Sequence, residues 1–523
     1  MAGLRSALPA APVSEAIADA AIPMATAEFA VDRSTMSAVP RSFPEASQLR
    51  KGAERMSRNH RITEWDPEDT AAWEAGNNRI ARRNLLWIIA CDHIAFGVWT
   101  LFPVMALFMP QDVYGFSAAD KFLLGATATL VAACLRIPYS LGIATFGGRN
   151  WTVFSVLVLI VPTSGTIWLL AHPGLPLWPY LVCAALTGMG GANYAASMTN
   201  TNFFYPHRRK GFALGFNAGA GNLGVPMIQL VGLLVIAIAG HRQPYWVCGL
   251  YLVLLTVVAV GATHYMDNLE HATYDVSHLR SILREGDTWV LAMLYLGTFG
   301  SWIGFSFAFG QVLQINFVGT GQSHAQASLH AAEFAFVGPA LGSVARIYGG
   351  RLADRIGGSR VTLAVLAAMG IITAFLVAIS INDDRTPGLT TAATMVGYIC
   401  GFMALFALAG LGNGSVYKMI PSVFEARSHR LGMPEADRSR WSQATSGAVI
   451  GFVAAFGALG GVGINLALRQ SYLSTGTDTL AFWAFLAFYL SAAVVTWARY
   501  VRRPTSTAAS VSDSQPHSEP ARV

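Results

Sequence analysis

The sequence predicts an all-α polytopic membrane protein with twelve transmembrane helices in two pseudo-symmetric six-helix halves. The first observation is composition: 53% of the 523 residues are hydrophobic and only 12% are charged, whereas soluble domains average about 25% charged. The second is a mean hydropathy of +0.45. The third is the recurrence of apolar stretches of about 20 residues, the length that crosses a bilayer, on both sides of a polar central loop.

The pattern divides the chain into six segments. The first two are a disordered cytoplasmic tail at 1–63, rich in Ala, Ser and Pro, and a juxtamembrane helix at 64–83, for which Asp66 is a suitable N-cap and Pro67 a suitable first residue. The others are an N-terminal half at 84–266, a central cytoplasmic loop at 267–287, a C-terminal half at 288–500 and a disordered cytoplasmic tail at 501–523. The twelve spans are expected at 84–109, 119–143, 151–171, 177–202, 211–239, 245–265, 288–315, 327–348, 360–381, 391–417, 442–467 and 479–499.

The basic residues predict the orientation of these spans. Lys and Arg concentrate in alternate loops, for example in the run His207-Arg208-Arg209-Lys210, and cytoplasmic loops are the ones enriched in positive charge. Both termini are therefore expected in the cytoplasm, with the protein in the plasma membrane. The net charge of +6 belongs to these loops, so no nucleic-acid partner is expected.

The residues offer little support for catalysis or for a cofactor. The five cysteines all fall within apolar spans, where Cys behaves as a small hydrophobe, and no CxxC or paired-His spacing indicates a metal site. Neither a phosphate-binding G-x-x-x-x-G-K-[ST] loop nor a hydrolase motif is present. We expect a non-enzyme that uses no cofactor and functions as a monomer.

Two arginines lie inside apolar spans at matching places in the two halves. Arg136 lies in the second span and Arg346 in the eighth, and a central arginine costs about 2.5–3.5 kcal/mol on insertion scales. One alternative is that they reach out to the membrane surface, and another is pairing with a buried carboxylate, for which the spans offer Asp92 and Glu333. Unpaired, they form an anion site, because a guanidinium group can donate to two oxygens of one planar oxyanion.

Two glycine-rich stretches carry a family resemblance. GMGGANYAASMTNTNFFYPHRRKGFALGFNAGAGNLG, from Gly188 to Gly224, resembles the nitrate signature of the nitrate/nitrite porter (NarK-type) family of the major facilitator superfamily. AGLGNGSVYKMIP, from Ala409 to Pro421, resembles the second signature of that family. The match runs from about Arg79 to about Arg499 and implies the major facilitator fold and transport of nitrate, nitrite or both across the bilayer.

The resemblance also implies site residues. The substrate arginines of the family correspond to Arg136 and Arg346, and Tyr194 stands where other members often have Phe, so that its hydroxyl can alter the selectivity between nitrate and nitrite. Tyr295, Phe299 and Trp302 share one helix face, which is typical of packing in a generic helix but here matches the donor and aromatic wall of the family. The expected substrate-binding residues are Arg136, Arg346, Tyr194, Asn222, Asn217, Tyr295, Phe299, Gly219, Gly221 and Ser415. The loop GGRLADRIGGSR resembles the superfamily motif and implies a conformational latch formed by Gly350, Asp354 and Arg355.

The coupling mode stays open at this stage. Two buried positive charges favour a carrier that reorients only when loaded, which means nitrate/nitrite exchange. Asp92 and His93 in the first span can instead carry a proton and permit nitrate–proton symport, or Asp92 can be a structural carboxylate. Two other functions also remain: a carrier of another small oxyanion such as formate or sulfate, and a nitrate sensor that binds without flux.

Overall fold

The computed structural model describes residues 60–240, 243–270, 280–386, 388–432 and 434–502. Helices make up nearly all of this part of the chain. The N-terminal half contains β1 (Arg61–Ile62), α1 (Thr70–Ala72), α2 (Asn78–Trp99), α3 (Leu101–Met105), α4 (Gln111–Tyr114), α5 (Ala118–Phe146), α6 (Gly148–Leu157), α7 (Ile160–Ala171), α8 (Leu177–Phe204), α9 (His207–Asn222), α10 (Gly224–Ala239), α11 (Tyr245–Tyr265) and β2 (Asn268–Leu269).

The C-terminal half follows the segment 271–279, which lies outside the described residues. It contains α12 (Gly286–Gly319), α13 (His324–Ala335), α14 (Val337–Ile356), α15 (Gly358–Arg385), α16 (Ala392–Arg430), α17 (Glu435–Thr475) and α18 (Thr479–Thr496).

Each of the twelve expected spans corresponds to a helix or to a pair of consecutive helices. Within the described ranges, nine helices are long and apolar enough to cross a membrane, and the pair α2–α3, bent by 46°, brings the number to ten. The fourth and eighth spans, α8 and α13–α14, are helical but too polar for that criterion, because they hold the Asn- and Gly-rich stretch and Arg346.

Prolines account for the places where four of the spans break. Each break leaves one carbonyl without its helical donor, because the residue four positions later is proline and has no N–H. The pairs are Trp99 with Pro103, Val158 with Pro162, Asn222 with Pro226, and Ala335 with Pro339. Pro138 and Pro421, by contrast, lie inside the continuous helices α5 and α16. Two of the breaks fall beside Trp99 and Asn222, which line the site described below.

The segment before the first span differs from the expectation. Asp69, not Asp66, caps α1 by accepting from the amides of Ala71 and Ala72 at 2.9 and 3.1 Å, so the helix begins at Thr70 and not at residue 64. Asp66 instead accepts from the amide of Glu68 at 2.9 Å in a local turn. A capping carboxylate accepts from amides two or three positions later in the chain, and both aspartates have suitable sequences after them.

Residues 60–62, expected in the disordered tail, are ordered. Strand β1 pairs in parallel with β2 of the central loop, with Arg61 opposite Asn268. Asp267 ties the same loop to the first span, because it accepts from Arg83 at 2.6 Å and from Asn84 at 2.9 Å. The expected disorder of residues 1–59 and 503–523 lies outside the described residues.

The two halves pack along α5, α10, α12 and α17. α5 contacts α17, and α10 contacts α13 and α14. At the ends of the spans opposite the basic His207 loop, Gln314 and Ser328 donate to the carbonyl of Leu107 at 3.3 and 2.8 Å. Gln229 donates to the carbonyl of Ser306 at 2.8 Å across the same interface. These contacts join the halves on the side that the positive-inside rule places outside the cell.

Candidate functional site

Arg136 of α5 contacts both halves inside the helix bundle. Its side chain is buried, with 1% of its surface exposed. Nε donates to the carbonyl of Gly191 on α8 at 3.3 Å, and Nη1 donates to the carbonyl of Ala454 on α17, 318 positions away in the chain. Nη2 is buried and has no partner in the described structure. Arg136 therefore does not reach the membrane surface, and it retains donors for a ligand.

Aromatic rings, and not carboxylates, surround the Arg136 guanidinium group. Its central carbon lies 5.7 Å from the ring centroid of Trp99, 5.3 Å from that of Tyr194 and 5.1 Å from that of Phe299. Each such contact is worth about 0.5–2 kcal/mol, depending on desolvation. The faces of these rings therefore offset part of the cost of the buried charge and leave its hydrogen-bonding capacity for an anion.

Arg346 of α14 enters the same region from the other half. Its guanidinium carbon lies 5.1 Å from the ring centroid of Tyr417 on α16. The amide of Asn222, in the orientation that satisfies its hydrogen bonds, accepts from Arg346 Nη1 at 2.9 Å and donates to the carbonyl of Ala218 at 3.3 Å. Among the ion pairs that the structure describes, none involves Arg136 or Arg346, and Glu333 is exposed.

Gly414 allows α16 to come this close to Arg346. A β-carbon added at Gly414 would overlap the carbonyl oxygen of Arg346 and would approach the amide nitrogen of Gly350 at 2.7 Å. Small residues permit this kind of backbone contact between membrane helices. The glycines of the second signature therefore position the arginine, and Tyr417, three residues after Gly414, lies on the same helix face.

The expected aromatic stripe on α12 forms the wall between the arginines. The rings of Tyr295 and Phe299 stack at 5.2 Å with an angle of 6°, and Phe299 stacks on Trp302 at 5.8 Å. Tyr295 also meets Tyr417 at 4.9 Å. Trp302 donates to the carbonyl of Pro339 at 3.1 Å, so its polar group serves packing between α12 and α14.

Three tyrosine hydroxyl groups in this region lie close to one another and to Arg346, but none makes a hydrogen bond of ordinary length to a described residue. They belong to Tyr194, Tyr295 and Tyr417, and each oxygen is buried. The ring of Tyr417 contacts Arg346 and Tyr295, and Tyr295 stacks on Phe299. Because the Phe299 ring in turn contacts Arg136, the two guanidinium groups border one aromatic site. The site therefore holds a surplus of donors, and this is what an anion with several oxygens requires.

Three of the expected site residues face side chains of neighbouring helices, and the fourth, Gly219, borders open space. Asn217 donates to Ser197 at 3.2 Å and to Thr201 at 3.3 Å, so it joins α9 to α8. Ser415 pairs with Thr362 of α15 at 2.8 Å, within the C-terminal half. A β-carbon at Gly221 would meet Asp92 at 2.6 Å, whereas one at Gly219 would meet open space. The structure thus brings together Arg136, Arg346, Tyr194, Asn222, Tyr295 and Phe299.

Asp92 lies in a polar pocket next to this site. Its Oδ1 accepts from Asn193 at 3.2 Å, and Ser197 lies next to the carboxylate. Oδ2 is buried and makes no hydrogen bond of ordinary length to a described residue. It interacts electrostatically with Arg136, but no direct ion pair joins them. His93 points away, since its Nδ1 donates to the carbonyl of Ala220 at 3.0 Å.

The residues of the expected latch lie at the C-terminal end of α14. Asp354 pairs with Lys418 of α16 at 3.0 Å, and both side chains are more than half exposed. Exposed pairs are worth about 0–1 kcal/mol. Arg355 is exposed. In this conformation the ion pair of Asp354 stays within the C-terminal half.

Trp99 and Tyr417 are site residues that the sequence analysis missed. Trp99 lies in a span so apolar that one more aromatic residue carries no signal. Tyr417 had a signal, because it follows Gly414 by one helical turn within the second signature.

Comparisons with known proteins show which family the chain belongs to. The model of the Major Facilitator Superfamily matches residues 85–462. The nitrate/nitrite transporter NarU of Salmonella typhimurium is 35% identical over 84% of this chain and 96% of its own length, and NarU of Escherichia coli is 34% identical over 85% and 97%. The probable nitrate/nitrite antiporter NarK2 of Thermus thermophilus is 28% identical over 84% and 97%.

Solved structures agree on the fold. A D-xylose–proton symporter is similar with a TM-score of 0.57 and 14% identity, covering 80% of this chain and 97% of its own. The nucleoside transporter NupG is similar with a TM-score of 0.56 and 11% identity, covering 80% and 99%. With both signatures, the matched family model and relatives of 34–35% identity over most of its length, the chain belongs to the Major Facilitator Superfamily and, within it, to the nitrate/nitrite transporter family.

Proposed function

We propose that this protein is a secondary transporter that moves nitrate and nitrite across the plasma membrane by alternating access. The observation that carries the proposal is the pair Arg136 and Arg346, one from each half, which share an aromatic site without a carboxylate partner among the described ion pairs. An anion bound between them holds the halves together from both sides. The names of the relatives support nitrate and nitrite over formate or sulfate.

The contacts between the halves support an inward-facing state. The hydrogen bonds from Gln314 and Ser328 to Leu107 and from Gln229 to Ser306 close the outer side. Alternating access must break these bonds and form others near the cytoplasmic ends of the helices. Both termini lie in the cytoplasm in this proposal, since the His207–Lys210 loop lies on the inner side. The protein works as a monomer and catalyses no reaction.

Exchange is the coupling that the site favours. Closing an empty site strips water from two positive charges, which costs several kcal/mol per ion, whereas a bound anion offsets part of that cost. The carrier then reorients loaded and trades nitrate for nitrite. The name of the Thermus thermophilus relative, an antiporter, supports this mode.

The unpaired carboxylate oxygen of Asp92 favours proton symport as the second candidate for the coupling mode. An aspartate carboxylate accepts hydrogen bonds but donates none, and its buried Oδ2 makes no hydrogen bond of ordinary length to a described residue. The side-chain nitrogen of Asn193 donates to the same carboxylate. The Oδ1 atom of Asn193 is also buried and has no donor among the described residues. A proton on Asp92 supplies a donor in this pocket and removes a negative charge that interacts with Arg136.

The decisive experiment is flux in proteoliposomes. Purified protein is reconstituted with internal nitrite, and uptake of labelled nitrate is measured against external formate and sulfate as competitors. We expect rapid nitrate uptake with weak inhibition by either competitor. Binding of nitrate without uptake would mean a sensor, and stronger competition by formate or sulfate than by unlabelled nitrate would mean a carrier for a different oxyanion.

A further inference from the structure

Tyr417 is the site residue that no expected role accounts for. Its ring supports Arg346 at 5.1 Å and packs on Tyr295 at 4.9 Å, yet its hydroxyl oxygen is buried and makes no hydrogen bond of ordinary length to a described residue. A ring suffices for both packing contacts. The hydroxyl therefore adds the cost of an unsatisfied polar group, which phenylalanine in this position would avoid.

The groups around this hydroxyl carry more donors than open acceptors. The carbonyls of Gly191 and Ala454 accept from Arg136, and the Asn222 oxygen accepts from Arg346. Guanidinium groups accept nothing, so the acceptors that remain among the described site residues are the phenol oxygens of Tyr194, Tyr295 and Tyr417, each of which also carries a proton. The three phenol protons and the free Nη2 of Arg136 together exceed these acceptors, and the oxygens of a bound anion supply the rest.

From this donor surplus we infer that Tyr417 is a specificity-determining residue whose hydroxyl donates to an oxygen of the bound anion and favours nitrate over nitrite. This inference rests on the proposed function. Nitrate is trigonal and presents three oxygens, whereas nitrite is bent and presents two. When the two guanidinium groups bind two oxygens of the anion, nitrate has a third oxygen that can accept from the phenols of Tyr295 and Tyr417. Nitrite has no third oxygen, so the phenol of Tyr417 is left without this acceptor.

The discrimination follows from the cost of an unpaired donor. A site built to hydrogen-bond one ligand rejects an analogue that lacks the matching group, because its own buried polar group is then left unsatisfied. Tyr417→Phe removes that penalty for nitrite and the hydrogen bond for nitrate. It keeps the ring under Arg346, so the change isolates the hydroxyl from the positioning role of the ring.

The test compares nitrate and nitrite in Tyr417→Phe. We expect the KM for nitrate to rise by roughly 5- to 10-fold while the KM for nitrite stays the same or falls, as the loss of one hydrogen bond implies. The stabilisation of the detergent-solubilised protein against heat by nitrate, relative to nitrite, should shrink in parallel. This second measurement does not depend on transport.

Tyr398→Phe is the matched control. Tyr398 lies on the same helix, α16, and is buried, but its hydroxyl donates to Asp478 at 3.2 Å, within the C-terminal half. This variant should lose stability and keep the wild-type ratio of the two KM values. An unchanged ratio in Tyr417→Phe, with wild-type protein transporting both anions, would overturn the inference alone. Failure of the wild type to bind either anion would overturn the proposed function.

Discussion

At the residue scale, the main feature of the site is a pair of buried arginines, Arg136 and Arg346, that have no acidic partner among the described ion pairs. Arg136 and Arg346 keep their charges in the membrane through aromatic faces, carbonyl oxygens and one amide instead of through acidic partners. A carboxylate in either place would neutralise the site and compete with the substrate. The expectation of an anion site was based on two unpaired arginines, and the described ion pairs agree with it.

Replacing either arginine by lysine tests the fork geometry of the site. Arg136→Lys and Arg346→Lys keep the charge but lose the parallel N–H donors. Hydrogen bonds to charged groups are worth about 1.5–3 kcal/mol, so nitrate exchange should fall by roughly 10- to 100-fold in each variant. Exchange is measured in proteoliposomes, with thermal unfolding as the control for folding. Near-normal exchange in both variants would remove the two-arginine site.

Tyr194→Phe tests the departure of this chain from the more common phenylalanine. The ring stays 5.3 Å from the Arg136 guanidinium carbon and 5.7 Å from the ring of Phe96, so transport should be retained. The nitrate-to-nitrite preference should change by roughly 2- to 10-fold, because only one neutral hydrogen bond is lost. Competition between the two anions measures the preference. Complete loss of transport would mean that the hydroxyl is required for binding or for folding.

At the element scale, helix breaks and a short strand position the parts of the site. The break after Asn222, which Pro226 causes, ends α9 beside Arg346. The break after Trp99, which Pro103 causes, ends α2 beside Arg136. Ahead of the first span, β1 pairs with the central loop, where the amide of Asn268 donates to the carbonyl of His60 at 2.8 Å.

Deletions of two lengths distinguish the role of the N-terminal tail from that of strand β1. Deletion of residues 1–59 should leave nitrate exchange close to wild type, because those residues lack a packing pattern in the sequence. Extending the deletion through Ile62 removes two backbone hydrogen bonds to the central loop and should lower the free energy of unfolding by about 1–3 kcal/mol. Flux and thermal unfolding of both proteins measure this. Lost flux at normal abundance in the shorter deletion would show that the tail acts on the carrier.

At the scale of the whole molecule, the question is what allows the halves to move past each other. Arg136 of the N-terminal half already donates to Ala454 of the C-terminal half, so reorientation must break a bond made by a buried charge. A bound anion can hold that charge while the halves exchange partners. In the proposed exchange mechanism, this ties movement of the halves to occupancy of the site.

Uptake into vesicles without an internal substrate tests the coupling. With exchange, nitrate uptake needs internal nitrite or nitrate and is insensitive to an imposed pH gradient. Asp92→Asn should then leave exchange largely intact, because asparagine can still accept from Asn193. Uptake into empty vesicles that follows the gradient and disappears in Asp92→Asn would overturn exchange and establish symport through this carboxylate.

The sequence alone determined the fold class, the family and the two arginines. The fold class follows from the length and hydropathy of each span and from the basic loops. The two arginines follow from the rarity of charge inside apolar segments, and the family follows from the resemblance of the two glycine-rich signatures. The four-residue spacing of Tyr295 and Phe299 predicted only that they share a helix face. The resemblance implied their place in the site. The start of the first helix was placed too early because two aspartates compete for one cap and local sequence does not separate them.

Only the tertiary structure decided which side chains meet. Arg136 contacts Ala454 across 318 positions, and Asn217 and Ser415 face neighbouring helices although they belong to the same signatures as Asn222 and Tyr417. A residue's face is set by how its helix is rotated against others, and that rotation depends on glycine contacts such as Gly414 with Arg346 and on proline breaks. Long-range packing of this kind leaves no period in the sequence, so the donor surplus around Tyr417 becomes visible only when the two halves are assembled.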